Sequence, residues 1–371
     1  MNGQQLSSGL AIAVTLACLL SAFGVSVLLT AGVRHWARQW GFLDMPGGHK
    51  AHAAPVALGG GVAIVWTFVL IVAAGLVMVM LSDHLPGLAW LAKHKAGVVA
   101  KLPSLLVVIG GALILHVVGL IDDVRPMGPL QKLLAQIFVA GLVVFVAGIR
   151  AAEVLGTVPS IVLTILWLVG ISNSINLLDN ADGLCAGVVA IAAAILAISA
   201  LLVGQIFVPA LAWVLAGAAL GYLLFNFPPA TIFMGDAGSL PLGFLLAVST
   251  VLTTYYNPTL KIEPYGLAAP LFILAVPLYD TISVLVYRYR LGVPLFKGDR
   301  RHFSHRLMRK GMTSSAMVLT IYLATATTGL SALLLPWVKW PAAVLLFVQC
   351  LCVLSVVAIL EGVGGYEKST R

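Results

Sequence analysis

The chain is a succession of long apolar runs separated by short polar connections. Eleven runs approach or exceed the roughly 20 residues that a helix needs to cross the hydrocarbon core of a bilayer. They occupy residues 7–33, 57–81, 103–121, 130–148, 157–175, 184–203, 206–225, 238–256, 266–287, 313–335 and 337–360. The pattern predicts an all-α polytopic integral membrane protein of about eleven transmembrane helices, with residues 1–371 forming a single membrane domain.

The distribution of basic residues predicts which side of the membrane each loop faces. No basic stretch precedes the first run, whereas Arg34 and Arg38 follow it, which favours an uncleaved helix with its N-terminus outside. With eleven spans, the C-terminus is then cytoplasmic. Fifteen of the 21 Lys and Arg residues fall in the loops and tail that this topology places inside. Lys93, Lys95 and Lys101 share one outer loop, so the bias is incomplete.

Composition supports the membrane class and narrows the class of partner. Hydrophobic residues make up 61% of the chain and charged residues 9%, with a mean hydropathy of +1.06. The net charge of +8 does not indicate nucleic-acid binding, because the basic residues concentrate on loops at one membrane face. Membrane lipid and an anionic substrate are the better partners. The four cysteines have no metal or redox spacing, and we interpret them as small core residues.

Five of the 13 acidic residues lie at the predicted cytoplasmic ends of the spans. They are Asp122, Asp123, Asp179, Asp182 and Asp236. An ionised side chain is costly in hydrocarbon, so acids at the edge of a membrane segment indicate a functional site. The predicted active face therefore consists of the loops at residues 34–56, 122–132, 176–183, 226–238 and 288–312.

Each acidic motif also has a purely structural interpretation. Asp122 and Asp123 could mark a helix exit, although carboxylates at a helix C-terminus face the negative end of the helix dipole. The stretch NLLDNADGL, residues 176–184, could be an Asx-rich turn, and Asp236 could be an ordinary N-cap. The convergence of all three motifs on one predicted face favours a functional site.

Neighbouring polar residues fit an anionic headgroup held through a divalent cation. Asn176 recurs in phase with Asp179 and Asp182, which places all three on one strip if the segment is helical. Lys132 follows Asp122 by ten residues, where the fourth span enters the membrane. Oxygen donors without His or Cys favour Mg²⁺, with Mn²⁺ as a possible substitute, over zinc.

Residues 288–310 form a basic segment, RYRLGVPLFKGDRRHFSHRLMRK, with eight Lys or Arg. One interpretation is an ordinary positive-inside loop that lies on acidic lipid. Its centre also presents guanidinium and imidazole donors suited to phosphate or sugar oxygens. These candidate substrate-binding residues are Arg300, Arg301, His302, His305 and Arg306. No third ligand stands beside the histidine pair, so zinc is not expected there.

Five motifs, in this order, resemble those of the polyprenyl-phosphate N-acetylhexosamine-1-phosphate transferases. The first set comprises D-x-P, K-x-H and P-x-x-x-G-G, at Asp44, Pro46, Lys50, His52, Pro55, Gly59 and Gly60. IDD with K-x-x-x-Q, N-x-x-D-x-x-D-G, GDAGS and D-R-x-H-x-x-H follow, so the match extends over residues 44–306. The basic loop and the eleven spans are more similar to the undecaprenyl-phosphate GlcNAc-1-phosphate transferase branch than to the phospho-MurNAc-pentapeptide branch.

The resemblance implies the transfer of a HexNAc 1-phosphate, with GlcNAc 1-phosphate favoured, from a UDP-sugar to undecaprenyl phosphate. It implies that UMP is released, that Mg²⁺ is required and that the product initiates a cell-envelope glycan. The expected location is the bacterial cytoplasmic membrane, with the active site facing the cytoplasm. Whether the protein forms a homodimer is left open.

The same resemblance assigns roles to the acids, which spacing alone does not divide between base and metal ligand. Asp236 and Asp179 are expected to bind Mg²⁺, and Asp182 to assist or to contact the nucleotide. Asp122 or Asp123 is expected to orient or deprotonate the lipid phosphate. The substrate-binding set adds four residues to the basic loop: Lys50, Lys132, Asn176 and Asn180.

Two positions depart from the family pattern. Asn180 replaces the glycine of D-G-x-D-G, and Ser304 replaces one histidine of H-x-H-H. Asn tolerates a positive φ nearly as well as Gly, so the first change is mild, whereas the lost imidazole leaves the sugar specificity open. The alternatives are a phospho-MurNAc-pentapeptide transferase of the same family and a secondary transporter of an anionic solute. Transport is disfavoured because the acids stand at the membrane edge and no internal repeat is visible.

Overall fold

The computed structural model describes residues 8–45, 55–84, 87, 89–255, 263–292 and 302–362. Thirteen α-helices lie within these ranges. They are α1 (Ser8–Gln39), α2 (Gly60–Met80), α3 (Ala89–Val124), α4 (Pro129–Phe145), α5 (Thr157–Leu178), α6 (Leu184–Leu202), α7 (Phe207–Asn226), α8 (Asp236–Leu252), α9 (Ala269–Ile273), α10 (Ala275–Arg290), α11 (Phe303–Arg309), α12 (Ser314–Leu334) and α13 (Trp340–Gly362). Two short strands, β1 (Leu43–Asp44) and β2 (Val56–Ala57), pair antiparallel between α1 and α2.

The all-α polytopic class is confirmed, whereas the number of spans and their orientation stay predictions. Eight of the described helices are long and apolar enough to cross a membrane, and the segment ending in α9 passes the same test together with α10. Helices α4 and α8 have 17 residues each. At 1.5 Å per residue they extend about 25 Å, which is slightly less than the thickness of the hydrocarbon core.

The run at residues 266–287 differs from the straight span that the sequence predicts. The chain bends by 66° between α9 and α10, on either side of Leu274. Pro277 lies four residues after Ile273 and has no N–H to donate to that carbonyl, and its ring crowds the carbonyl instead. The bend leaves α10 as a separate helix, which carries the buried carboxylate of Asp280.

Small residues let the helices approach one another closely. Gly217 and Gly221 form a G-x-x-x-G pair on α7, and an added Cβ at either would collide with the backbone of α1, at Leu19 or Phe23. Apolar side chains gain little by leaving lipid for protein, so such close packing is a main source of helix association inside a membrane. Helix α1 is therefore held along the face of α7.

Glycines also bring the ends of α3, α5 and α8 together. A Cβ at Gly119 of α3 would collide with the backbone of Asp236, and one at Gly243 of α8 would lie 2.8 Å from the Cα of Ser172 on α5. Gly61 of α2 packs in the same way against Gly238. The N-terminus of α8 is thus fixed among three neighbouring helices, and this junction positions the candidate site.

Candidate active site

Asp236 lies at the centre of a polar cluster, in the first turn of α8. One carboxylate oxygen, Oδ1, accepts a hydrogen bond from Asn176 Nδ2 at 2.8 Å, and Oδ2 lies 2.8 Å from Lys132 Nζ. Asn176 Nδ2 also lies 2.9 Å from the hydroxyl of Ser239, one turn further along α8. Helices α4, α5 and α8 therefore each contribute a side chain to this cluster.

Lys132 connects Asp236 with a second carboxylate. Its ammonium lies 3.1 Å from Asp122 Oδ2, in addition to its contact with Asp236. The other oxygen of Asp122 accepts a hydrogen bond from the backbone N–H of Met127 at 2.7 Å, which orders the turn between α3 and α4. The ten-residue spacing noted in the sequence thus places one cation between two acids that lie 114 positions apart in the chain.

Asp123 has a different role from its neighbour, because its carboxylate caps α8. Its two oxygens accept hydrogen bonds from the backbone N–H groups of Asp236 at 2.8 Å and Ala237 at 3.2 Å. A negative side chain at a helix N-terminus satisfies free N–H groups and complements the helix dipole. Gly235, with φ at +71°, precedes the helix, and a Cβ there would collide with the Asp123 carboxylate.

Asp179 lies in the turn that follows α5 and faces the same cluster. Removal of its carboxylate from water, with the negative charges of Asp236 and Asp123, raises its pKa to about 8. A hydrogen bond from the Gly235 backbone opposes this increase. Burial is the largest cause of the increase, and the negative charges of Asp236 and Asp123 add to it. A cation bound beside these carboxylates would favour the ionised form of Asp179.

The remaining acid of the turn, Asp182, supports the loop between α7 and α8. Its Oδ2 accepts a hydrogen bond from the backbone N–H of Ala230 at 2.9 Å. Asn226 reinforces this arrangement, because its side-chain oxygen accepts from the Gly183 N–H at 2.9 Å and its Nδ2 donates to Ile232. Whether Asp182 also contacts a nucleotide stays a prediction.

Helix α11 contains residues Phe303–Arg309 of the basic segment and is docked against the protein, whereas Arg288 and Arg290 lie in α10. His302 Nδ1 lies 2.8 Å from Asp280 Oδ2, and the Phe303 N–H donates to Asp280 Oδ1 at 3.2 Å. The side chains of His302 and Asp280 are 5% and 0% exposed. Phe303 packs with Leu178 and Leu184, at the ends of α5 and α6, in an apolar cluster.

Arg306 also has a protein partner in this structure. Its guanidinium lies 2.9 Å from Glu361 Oε2 and donates to Ser283 at 2.9 Å. Tyr279 donates a hydrogen bond to the other oxygen of Glu361 at 2.6 Å. The substrate-binding roles of His302, His305 and Arg306 stay predictions, and Lys50, Arg300 and Arg301 lie outside the described residues.

Sequence reasoning missed three residues that the structure places at these sites. Ser239 was visible within GDAGS but was given no role, although its hydroxyl contacts Asn176. Asp280 lies inside a predicted membrane span, where an acidic residue is rare and indicates a specific role. Glu361 offered no local signal, because its partner Arg306 is 55 residues away.

The donor chemistry fits a magnesium ion that binds together with substrate phosphates. Among the described residues, no group of three or more His, Cys, Asp or Glu side chains is placed to hold a metal ion alone. Magnesium usually takes one or two protein carboxylates and completes its shell with water and phosphate oxygens. That Asp179 and Asp236 form such a pair stays a prediction; the charge of Asp236 is one of the causes that raise the pKa of Asp179.

A cavity of about 400 Å³ lies away from this cluster. It is lined by Lys101 and Arg150 together with apolar side chains that include Phe68, Leu105 and Leu252. Leu252 ends α8, some 24 Å from Asp236 at 1.5 Å per residue, so the cavity opens near the other end of the helices. None of the five acids lines it, and the candidate site rests on the polar cluster instead.

Comparisons with known proteins found a matching family model and several similar chains. Residues 105–254 match the model of the family described as "Glycosyl transferase family 4". The chain is 32% identical over 332 residues to the "Probable undecaprenyl-phosphate N-acetylglucosaminyl 1-phosphate transferase" of Bacillus subtilis, covering 85% of each chain. It is 34% identical to the "Decaprenyl-phosphate N-acetylglucosaminephosphotransferase" of Mycobacterium tuberculosis, covering 82% of this chain and 78% of the relative.

A relative from the phospho-MurNAc-pentapeptide branch matches over a shorter length. The "Phospho-N-acetylmuramoyl-pentapeptide-transferase" of Staphylococcus carnosus is 31% identical over 220 residues, covering 55% of this chain and 64% of that protein. The range matched by the family model, residues 105–254, contains Asp122, Asp123, Asp179, Asp182 and Asp236.

Proposed function

Because the chain belongs to glycosyl transferase family 4, among the polyprenyl-phosphate N-acetylhexosamine-1-phosphate transferases, we propose that it transfers GlcNAc 1-phosphate from UDP-GlcNAc to undecaprenyl phosphate. The Bacillus subtilis and Mycobacterium tuberculosis relatives are named for transfer of this sugar phosphate to a polyprenyl phosphate. The product would be a polyprenyl diphosphate-linked sugar, which initiates synthesis of a cell-envelope glycan. The reaction would take place in the cytoplasmic membrane, on its cytoplasmic face.

One observation carries the proposal beyond the family name. The ammonium of Lys132 lies between the carboxylates of Asp122 and Asp236, while Asn176 fixes the other oxygen of Asp236. A cation beside an excess of carboxylates provides two ways to bind phosphate: directly through Lys132, and through a divalent ion on the acids. A diphosphate donor and a phosphate acceptor together need both.

The reaction asks little of a general base. A phosphate monoester has a second pKa near 6, so the lipid phosphate is largely ionised at neutral pH and can attack without first losing a proton. Its oxygen forms a bond to the β-phosphorus of the donor, and the bond from that phosphorus to the bridging oxygen breaks. UMP leaves with the bridging oxygen and its electron pair, so positioning and charge neutralisation are the main tasks of the protein.

The described residues divide these tasks among them. Asp179 and Asp236 would hold Mg²⁺, which when bound neutralises charge on the donor pyrophosphate. Lys132 would hold an acceptor phosphate oxygen next to Asp122, and Asn176 keeps Asp236 in position through its hydrogen bond of 2.8 Å. Asp123 keeps α8 in place by capping its N-terminus, which fixes Asp236 relative to α3.

The test is turnover by the purified protein in detergent or nanodiscs. Undecaprenyl phosphate and Mg²⁺ are supplied with UDP-GlcNAc, UDP-GalNAc or UDP-MurNAc-pentapeptide, and both UMP and the lipid product are measured. We expect UMP release with UDP-GlcNAc, dependence on the lipid acceptor, and loss of activity when EDTA removes the metal.

The panel also separates the rival functions. Turnover with UDP-MurNAc-pentapeptide alone would place the chain in the other branch and overturn the sugar assignment. No turnover with any of the UDP-sugars would overturn the proposed reaction. Metal-independent turnover would retain the reaction and remove the role given to Asp179 and Asp236.

A further inference from the structure

The two positions that depart from the family pattern are in direct contact. Ser304, in the first turn of α11, donates a hydrogen bond of 2.5 Å to the side-chain oxygen of Asn180. The Asn180 amide nitrogen donates in turn to the Leu177 carbonyl at 2.6 Å, which fixes the orientation of the amide. Nothing in the local sequence joins these residues, since 124 positions separate them.

The contact joins the turn after α5, which carries Asp179 and Asp182, to helix α11. Asn180 directly follows Asp179, and Ser304 has 0% of its surface exposed. Asp280 holds the start of α11 on another side, through His302 and the Phe303 N–H. The Asn180–Ser304 hydrogen bond therefore sets the position of α11 relative to the carboxylates.

The volumes of the two side chains are complementary. A histidine at position 304 would need space that the Asn180 side chain now fills, because Ser304 is fully buried against it. A glycine at position 180 would free that space. The side chains at positions 180 and 304 thus fill one site together, so a larger residue at one position needs a smaller residue at the other.

We propose that Asn180 and Ser304 are positioning residues that set how tightly the nucleoside diphosphate sugar binds, by fixing α11 against the turn that carries Asp179. This inference rests on the proposed function. Helix α11 carries His305, Arg306 and Arg309 within seven residues, so its distance from the acids determines where a diphosphate can lie between cations and carboxylates. Asn180 then acts through α11, whereas the sequence analysis assigned it to direct substrate binding.

A double-mutant cycle tests the pair. We expect Asn180→Ala and Ser304→Ala each to raise KM for UDP-GlcNAc about fivefold to tenfold, the scale of one lost hydrogen bond, and the double variant to raise it no further. The kcat and the KM for undecaprenyl phosphate should stay within about twofold of wild type, which a general loss of structure would not allow. Thr320→Ala is the matched control, because that hydroxyl bonds only within α12 and is exposed.

The reciprocal exchange tests the complementary volumes. Ser304→His alone should be the poorest variant, since the imidazole meets Asn180, and adding Asn180→Gly should recover most of the activity. Additive effects in the alanine cycle, equal changes in both KM values, or no recovery in the exchanged pair would each overturn the proposal.

A measurement without substrate keeps this inference separate from the proposed reaction. Hydrogen exchange of the amides in Phe303–Arg309 should be faster in Asn180→Ala than in wild type, with the amides of α12 unchanged. Unchanged exchange in α11 would overturn the positioning role even if the wild-type protein turns over UDP-GlcNAc. If the exchange responds but no UDP-sugar reacts, the contact stands as a docking device and the role in donor binding falls with the proposed function.

Discussion

The carboxylates around Asp236 and those that hold α11 differ in how their charge is balanced. Around Asp236, two acids, Asp122 and Asp236, share the ammonium of Lys132, and the side chains of Lys132 and Asp236 are 24% and 22% exposed. In the second region Asp280 is matched with His302, and its carboxylate is fully buried. Removing one partner of a buried pair leaves the other unpaired and destabilises the fold, whereas acids that outnumber the cations beside them can bind a further cation. The comparison distinguishes the candidate site around Asp236 from the contacts that hold α11 in place.

The largest expected effect is a loss of activity on changing the carboxylates around Asp236. Asp236→Asn should lower UMP release at least about 100-fold, because it removes the carboxylate charge from the centre of the site. The melting temperature in detergent should stay close to that of wild type, since the amide preserves the shape of the side chain. Glu153→Gln is the control, as that acid is exposed and remote from the cluster. Retention of more than about a tenth of the activity would contradict the metal role of Asp236.

At the buried pair of Asp280 and His302, the main expected effect is on stability. Asp280→Ala should lower the free energy of unfolding by about 3 kcal/mol, because it leaves His302 and the Phe303 N–H buried without their acceptor. Thermal unfolding in detergent measures this, with Thr281→Ala as the neighbouring control. An unchanged melting temperature, combined with a large loss of activity, would move Asp280 from the structural region to the site.

How much of this contrast the sequence could predict depends on the range of the contacts. The convergence of Asp122, Asp179 and Asp236 followed from the positions of the spans, because the ends of neighbouring membrane helices meet at the same face. The Lys132 contact followed from its place at the start of the next helix. These inferences needed only the alternation of apolar runs and polar connections.

The second region depends on contacts that no local pattern encodes. The bend at Leu274 had a visible cause in Pro277, but its direction depends on the surrounding helices. The docking of α11 requires Asn180 and Asp280, which lie 124 and 22 residues from their partners. The sequence pattern therefore predicted a loop with available cations, whereas the structure shows residues Phe303–Arg309 of this segment as a packed helix.

A smaller change should sharpen the electrostatic side of the comparison. Lys132→Gln should lower kcat about tenfold, because it removes the cation placed to hold a phosphate oxygen. The same change should tighten Mg²⁺ binding, since the ammonium no longer neutralises Asp122 and Asp236. A Mg²⁺ titration followed by thermal shift, without substrate, measures the second effect. Weaker Mg²⁺ binding in this variant would show that Lys132 orients the acids more than it competes for them.

The last expected effect is the dependence of stability on pH at Asp179. Its pKa is about 8 in the folded protein, above the usual value of an aspartate, so the folded state holds a proton that the unfolded chain releases above about pH 4. This contribution to stability is complete below pH 4, declines as the pH rises, and is lost above about pH 8. The melting temperature of the metal-free protein should therefore fall by a few degrees more than that of Asp179→Asn over this range. Mg²⁺ should stabilise the wild type more at pH 8 than at pH 5, because it binds the ionised carboxylate. If the melting temperatures of wild type and Asp179→Asn instead changed in parallel with pH, the crowding of negative charge that distinguishes this region from the contacts of α11 would be contradicted.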